Sequence, residues 1–412
     1  MTVTRRDFIR NGALLVAMGI AAPTFVTQSI AEAKDALQRQ IGKHTLVLVQ
    51  LSGGNDGLNT VIPYADALYM QLRPQVGIPA SNVIRLNAGI GLHPSLQPLK
   101  PIYDAGNLAV IQGVGYPNPN RSHFRSMEIW HTATPDRFER SGWLGRYLDG
   151  CDCGDENPLH AINNGDLLNR SFWTEMSLVP AIGSLATFQY QTDPRFARDR
   201  SAQLQALSNI YAMAGNWRPY EELIRQTTLR AIAGADVLKS IASTYDTPIE
   251  YPASPFSANL KNVAQILAAD LGTRIFFTSL GGFDTHAGQA NTHGTLLGTL
   301  SQGLSAFYRD LERIGRADDV VIMTFSEFGR RAQQNGSAGT DHGTAEPVFV
   351  LGGGVKGGIY GPNPDLSDLD EIGDLKFHTD FRSVYATVLE RWLGSSSESV
   401  LGGRFHLMPF LG

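Results

Sequence analysis

Five short apolar runs, each followed by a loop carrying glycine and polar or charged residues, constrain this chain more than any other feature. They are Thr45–Leu51, Leu108–Gly113, Thr273–Ser279, Val320–Phe325 and Val348–Leu351. In HTLVLVQLSGGNDGLN the apolar residues are continuous rather than alternating, which predicts a strand covered on both faces, as in a parallel sheet. In open α/β sheets ligands bind just beyond the carboxyl ends of the strands, so chemistry is expected in the loops that follow these runs. With 412 residues and 42% hydrophobic content the chain can bury a core of that kind. The reading is α/β, a mostly parallel sheet flanked by helices.

Between about residues 151 and 271 the pattern changes. RFARDRSAQLQALSNIYAMAG, PYEELIRQTTLRAIAGADVLKSIASTY and FSANLKNVAQILAADLG carry apolar residues at helical spacing with Pro or Gly breaks between them. A mainly helical insertion, forming a lid or partner surface on the sheet, is expected there. HTDFRSVYATVLERWLG predicts a further helix, capped by Thr379 or Asp380, whose apolar face includes Val384, Val388, Leu389 and Trp392.

The first 33 residues read as a signal peptide. Paired Arg5 and Arg6 precede Phe8 and Ile9, then an apolar run from Ala13 to about Val26, then Ala31-Glu32-Ala33. That order is the secretory pattern, and the paired arginines point to twin-arginine export, with the Tat machinery as partner and a mature domain over 34–412 in the periplasm or outside the cell. The competing reading is a membrane anchor, although the apolar run is shorter than the ~20 residues of a span. The net charge of −5, without a basic tract beyond the first residues, lacks the electrostatic footprint of a nucleic-acid-binding protein. Cys151 and Cys153 are the two cysteines; one residue apart, they would close a strained ring, so they are expected to be loop residues rather than a mutual disulfide.

Four strand-end loops hold residues of metal-ligand type: SGGNDGLN with Asp56; PNRSHFRSMEIWH with Ser122 and His123; LGGFDTHAGQ with Asp284 and His286; and TFSEFGRR with Glu327, trailed by GTDHGTAEP with Asp341 and His342. Mixed carboxylate and imidazole ligands suit Zn²⁺, Mn²⁺ or Fe, and one or two such ions would activate a nucleophile. Each residue also has a plainer role. Asp56 can form a Gly-supported turn, Ser122 can cap the helix begun by FRSMEIWH, and Asp341-His342 can be a solvent loop.

The segments RRDFIR, LVQLSGGNDGLNTVIPY, PNRSHFRSMEIWHT, GGFDTHAGQ, TFSEFGRR, DHGTAEPVFVLGGGVKGGIYG and TDFRSVYATVLERWLG together resemble the DUF1501 family of bacterial exported proteins. That family is grouped with the alkaline phosphatase and sulfatase-like superfamily. The resemblance implies an alkaline phosphatase-like parallel core and a two-metal phosphoryl- or sulfuryl-transfer site. Asp56 is similar to the first metal-binding Asp, Ser122 to the nucleophile, and Asp284 to the Asp of an Asp-x-x-x-His pair. Position 288 is Gly, so His286 stands in for that His.

The superfamily's Asp-His-Gly follows an apolar strand, and the matching strand here ends in Ser326-Glu327-Phe328-Gly329. Glu327 therefore takes the Asp place, Phe328 the His place, and His342 becomes the distal histidine of the other metal. By resemblance one site keeps Asp284, His286 and His342. The second holds Asp56, Glu327 and Ser122, an all-oxygen set suited to Mg²⁺, Mn²⁺ or Ca²⁺. Arg121, Arg125 and Arg330 are the candidate clamps for an anionic small-molecule or envelope substrate; as solvated surface residues they would have no such role. Two functions remain open: an exported metal-dependent hydrolase of phosphate or sulfate esters, and a non-catalytic exported binding or envelope-assembly protein that retains the fold.

Overall fold

The structure, a computed structural model, describes residues 44–151, 157, 159–185, 194–213 and 218–412. The expected signal peptide lies outside the described residues. The main sheet contains β1 (Thr45–Ser52), β2 (Leu108–Gly115), β3 (Ala161–Asn164), β4 (Ala181–Ile182), β5 (Ile275–Gly281), β6 (Val320–Phe325), β7 (Glu346–Leu351), β8 (Gly358–Tyr360) and β9 (Thr379–Asp380). Its order is β8-β2-β7-β6-β1-β5-β3-β4, with β9 also paired to β2. All five apolar runs are strands of this sheet, which is mixed and mostly parallel.

Alternation along β1 shows why residues 46–49 are apolar without a break. Leu46 and Leu48 face one core with Ile111, Phe277 and Met323, under Trp130, Phe381 and Tyr385. Val47, Val49 and Leu51 face the other with Val110, Phe276 and Ile322, under Leu260, Val263, Leu300 and Phe307. Because successive side chains of a strand point to opposite faces, a sheet covered on both sides leaves no position for a polar alternate.

The helices include α1 (His123–Thr132), α2 (Arg200–Ala212), α3 (Pro219–Thr244), α4 (Pro255–Ala269), α5 (Gln289–Arg313) and α6 (Phe381–Thr387); α1, α4, α5 and α6 cover the two faces, whereas α2 buries none of its residues. Asp380 caps α6 through the amide of Arg382 at 2.9 Å, and Val384, Val388, Leu389 and Trp392 are buried as their spacing requires. The segment read as helical does contain α2, α3 and α4, but β3 and β4 lie within it and belong to the sheet itself. Cys151 is disulfide-bonded, contrary to its reading as a loop thiol; Cys153, the other cysteine of the chain, lies outside the described residues. No helix among the described residues is long and apolar enough to cross a membrane.

One strand departs from the parallel expectation in a way that matters. β7 runs antiparallel to both β6 and β2. Its beginning, not its end, therefore lies at the edge where β1, β2, β5 and β6 finish. The loop before β7, with Asp341 and His342, reaches the same edge as the loops that follow the other strands.

Candidate metal centre

Glycines allow those loops to touch. Gly53, at φ +119°, sits where a Cβ would come within 2.5 Å of the Asp284 amide nitrogen, and a Cβ on Gly339 would lie 2.2 Å from the carbonyl carbon of His286. Only a residue without a side chain permits approaches this close. The first contact joins the β1 and β5 loops, and the second lays the 339–342 loop over His286.

Three imidazoles converge on Asp284. Its Oδ1 lies 3.0 Å from His286 Nε2, 3.2 Å from His342 Nε2 and 3.5 Å from His123 Nε2. His286 Nε2 and His342 Nε2 are 2.9 Å apart. His123, Asp284 and His342 each offer a ligand atom within 4.8 Å of the others, a triad able to hold a metal ion.

The opposite nitrogen of each ring is held by an oxygen. His123 Nδ1 lies 2.8 Å from Glu327 Oε1, His286 Nδ1 3.0 Å from Asp341 Oδ1, and His342 Nδ1 2.8 Å from the carbonyl oxygen of Arg121. A carbonyl oxygen and an ionised carboxylate only accept, so these partners assign the proton of each neutral ring to Nδ1. Three Nε2 lone pairs then point toward a carboxylate oxygen. His123 Nε2 is buried and has no hydrogen-bond partner. Arg330 donates to Asp284 Oδ1 at 2.7 Å and reaches His286 Nε2 at 3.4 Å, which leaves the Nε2 lone pairs of His123 and His342 to suit a positive guest; imidazoles whose far nitrogen is fixed by an oxygen are the usual arrangement around a protein-bound metal. By donor chemistry the residues fit a divalent ion.

Asp284 is ready for that role. Partial burial alone would raise its pKa, but the hydrogen bond and charge of Arg330, together with the neighbouring imidazoles, hold it down at about 2. Burial lowers His342, which favours the neutral, ligating imidazole. Asp341 is held below its ordinary value, first by the hydrogen bond from Asn335 and also by His286.

The structure thus brings together Asp284, His286 and His342 as one group and adds His123. The signal for His123 was its place in RSHF at a strand-end loop; the resemblance gave it no metal.

The second, all-oxygen site does not form. Asp56 is fully buried, with Arg73 Nη1 at 2.8 Å from Oδ1 and 2.6 Å from Oδ2, and Gln289 donating to Oδ2. Arg73 is equally buried and also donates to Asn59 Oδ1, Ala332 O and Arg331 O. A guanidinium stands where the second cation was expected, and Asp56 supports a turn by accepting from the Asn59 amide. Burial alone would raise the Asp56 pKa, but the Arg73 charge and the neighbouring hydrogen bonds hold it below its usual value. Glu327 is not a ligand either. Its Oε1 takes the Gly53 amide at 2.9 Å besides facing His123, and its Oε2 takes the Ser326 hydroxyl at 3.0 Å. Its Oε1 thus holds the far nitrogen of the His123 ring.

The three candidate clamps are committed elsewhere. Arg330 is buried and donates to Gly53 O, Gly54 O, Phe283 O, Thr340 O and, at 2.7 Å, Asp284 Oδ1, so it ties the site's loops together. Arg121 pairs with Asp370 and Asp374. Arg125 pairs with Glu128 and donates to the carbonyls of Pro135 and Arg137. Ser122 precedes α1 and is exposed; its hydroxyl makes no capping bond. Phe328, where the resemblance places a His, packs its buried ring against His123 and His342 with centroids 5.0 and 4.7 Å away.

The sequence matches the family described as "Protein of unknown function (DUF1501)" over residues 43–399. The chain belongs to the DUF1501 family. No curated protein matches it. Among solved structures it is similar to the PsFucS1 sulfatase from Pseudoalteromonas sp., at 10% identity, covering 95% of this chain and 75% of that one, with a TM-score of 0.39. It is also similar to the lipoteichoic acid synthase LtaP from Listeria monocytogenes, at 10% identity, 91% and 81% coverage and a TM-score of 0.36. A TAB5 alkaline phosphatase with bound Mg matches at 10% identity, 78% and 94% coverage and a TM-score of 0.34. Likenesses this distant pass neither reaction nor ligand to this DUF1501 member.

Proposed function

We propose that this protein is an exported, single-metal hydrolase of phosphate or sulfate esters, with Ser122 as nucleophile. The observation that carries the reading is the convergence of three oriented Nε2 lone pairs on Asp284 at a solvent-reached strand edge, where the Asp284 side chain is 49% exposed. Three imidazoles and a carboxylate favour Zn²⁺, Mn²⁺ or Fe²⁺ over Mg²⁺ or Ca²⁺. A bound divalent ion would polarise the ester and lower the pKa of an attacking hydroxyl. The chain adds Ser122 immediately before the ligand His123, at the N-terminus of α1, whose first-turn amides favour an anion. Attack by Ser122 Oγ would form the seryl ester and release the alcohol; water would then free the enzyme.

The test is metal analysis of the purified protein together with turnover of 4-nitrophenyl phosphate, bis(4-nitrophenyl) phosphate and 4-nitrophenyl sulfate. One ion per chain is expected. His342→Ala should lose metal and activity together, whereas Ser122→Ala should lose activity and keep metal. A Ser122→Ala protein with full turnover would remove the nucleophile from this scheme. Export rests on the paired arginines, and Arg5→Lys with Arg6→Lys should retain the precursor inside the cell.

A specific observation favours the second reading, a non-catalytic exported binding or assembly protein. Arg121, Arg125 and Arg330 all bond to the protein itself, so this set leaves no free guanidinium for a substrate anion. In that case the segment 151–271 would supply the partner surface. One bound ion with no turnover of any of the three esters would select this reading.

A further inference from the structure

We infer that the metal centre selects esters carrying a single negative charge, a phosphodiester or a sulfate monoester, over the dianion of a phosphate monoester. This rests on the metal-site reading above and narrows its substrate class.

The charges around the site carry the inference. Asp284, Glu327 and Asp341 face the three imidazoles, and among the described residues Arg330 is the one guanidinium in hydrogen-bond contact with Asp284. An imidazole that ligates an ion through Nε2 counts as neutral. Three carboxylates against one guanidinium leave two negative charges, which a divalent ion cancels. The surrounding cations are engaged with other carboxylates: Arg121 and Arg331 face Asp370 and Asp374, Arg331 also acts on Asp341 from a distance, and Arg125 and Arg170 share Glu128.

Recognition of a transferring phosphoryl dianion ordinarily uses several cations, such as Arg, Lys and metal ions acting together. Arg73 supplies no such cation, since its charge is spent on buried Asp56. A loaded site near neutrality can accept one negative charge through the ion and the α1 amides. A second negative charge would meet Asp284, Glu327 and Asp341 without a compensating group, and like charges brought together in a partly desolvated site repel.

Calorimetric binding of methyl sulfate, dimethyl phosphate and methyl phosphate to the Zn²⁺-loaded full chain, at about pH 8 where the monoester is a dianion, tests this without catalysis. Methyl phosphate should bind no tighter than the better of the two monoanions, and the tighter monoanion identifies the source. Methyl phosphate bound about tenfold tighter, as one uncancelled positive charge more would produce, overturns the inference.

Asp341→Asn, which removes one charge but leaves an acceptor for His286, should shift the ratio toward methyl phosphate by about tenfold. An unshifted ratio with metal retained also overturns it. The monoanion preference without turnover of any nitrophenyl ester supports this inference and sinks the hydrolase reading. Turnover with a dianion preference does the reverse.

Discussion

Asp56 and Asp284 occupy comparable places and have opposite fates. Each follows a glycine pair in the loop after a parallel strand, and their strands, β1 and β5, are neighbours in register from Leu46 opposite Ile275 to Ser52 opposite Gly281. Asp56 is sealed from solvent with Arg73 on its carboxylate; Asp284 is half exposed and faces three imidazole nitrogens. Local sequence did not decide between them. The difference is the source of the cation: the chain brings Arg73 to Asp56 from the end of the short helix Ala67–Leu72, and none of the described residues brings more than the shared guanidinium of Arg330 to Asp284. A buried carboxylate must be compensated from within the fold, whereas an open one can take its cation from outside.

The strongest way to break the comparison is to remove the internal cation. Arg73→Met leaves Asp56 buried and unpaired, and should destabilise the protein by about 3–5 kcal/mol in urea unfolding, with much of the soluble yield lost. Asp284→Asn should leave the unfolding midpoint nearly unchanged. Equal losses in the two variants would erase the distinction.

Acid sharpens the same contrast. The folded pKa of Asp56 is depressed, so its contribution to stability is fully present above the unfolded value of about 4 and is lost as pH falls toward and through the folded pKa. Urea midpoints of the metal-free protein should fall across that range, and less steeply in Asp56→Asn. An identical slope would mean that the Arg73 pair does not hold the carboxylate down.

At the open site the readout moves from stability to metal. His342→Ala and Asp284→Asn each remove a ligand and should bring metal content after dialysis close to zero. Glu327→Gln and Asp341→Asn remove only the charge that orients a ring, and should weaken metal by about 10–100-fold. If Glu327→Gln abolished binding as completely as His342→Ala, Glu327 would be a ligand after all.

How far the sequence reaches follows from the same physics. β1, β2, β5, β6 and β7 were legible because burial on both faces leaves a continuous apolar signature, and the helices because their apolar residues recur at helical spacing; the shorter β3, β4, β8 and β9 leave no such run. The loops bearing Asp284, His286 and His342 were legible from strand ends and glycines. The antiparallel turn of β7 was not, since an apolar run carries no direction. Arg73 was missed because it lies at the end of a short helix outside every strand-end loop, and only the folded chain shows that its guanidinium claims the Asp56 carboxylate. Arg121, Arg125 and Arg330 looked like clamps because a sequence shows charge but not the carboxylates and carbonyls that claim it.

The smallest structural effect belongs to Ser122, and there the comparison bears on chemistry. Its amide donates to Asn120 Oδ1 at 2.8 Å and its carbonyl accepts from Ser126 at 2.9 Å, both bonds of the main chain that alanine would keep. The exposed hydroxyl caps nothing. Ser122→Ala should therefore change unfolding free energy by no more than about 0.5 kcal/mol and leave metal affinity as it was. Any loss of ester turnover in that variant is then a loss of nucleophile rather than of fold or ion. A variant that instead lost stability by the ~1 kcal/mol typical of a helix cap would show that the hydroxyl serves α1, and the nucleophile would have to be a water held by the His123, His286 and His342 centre.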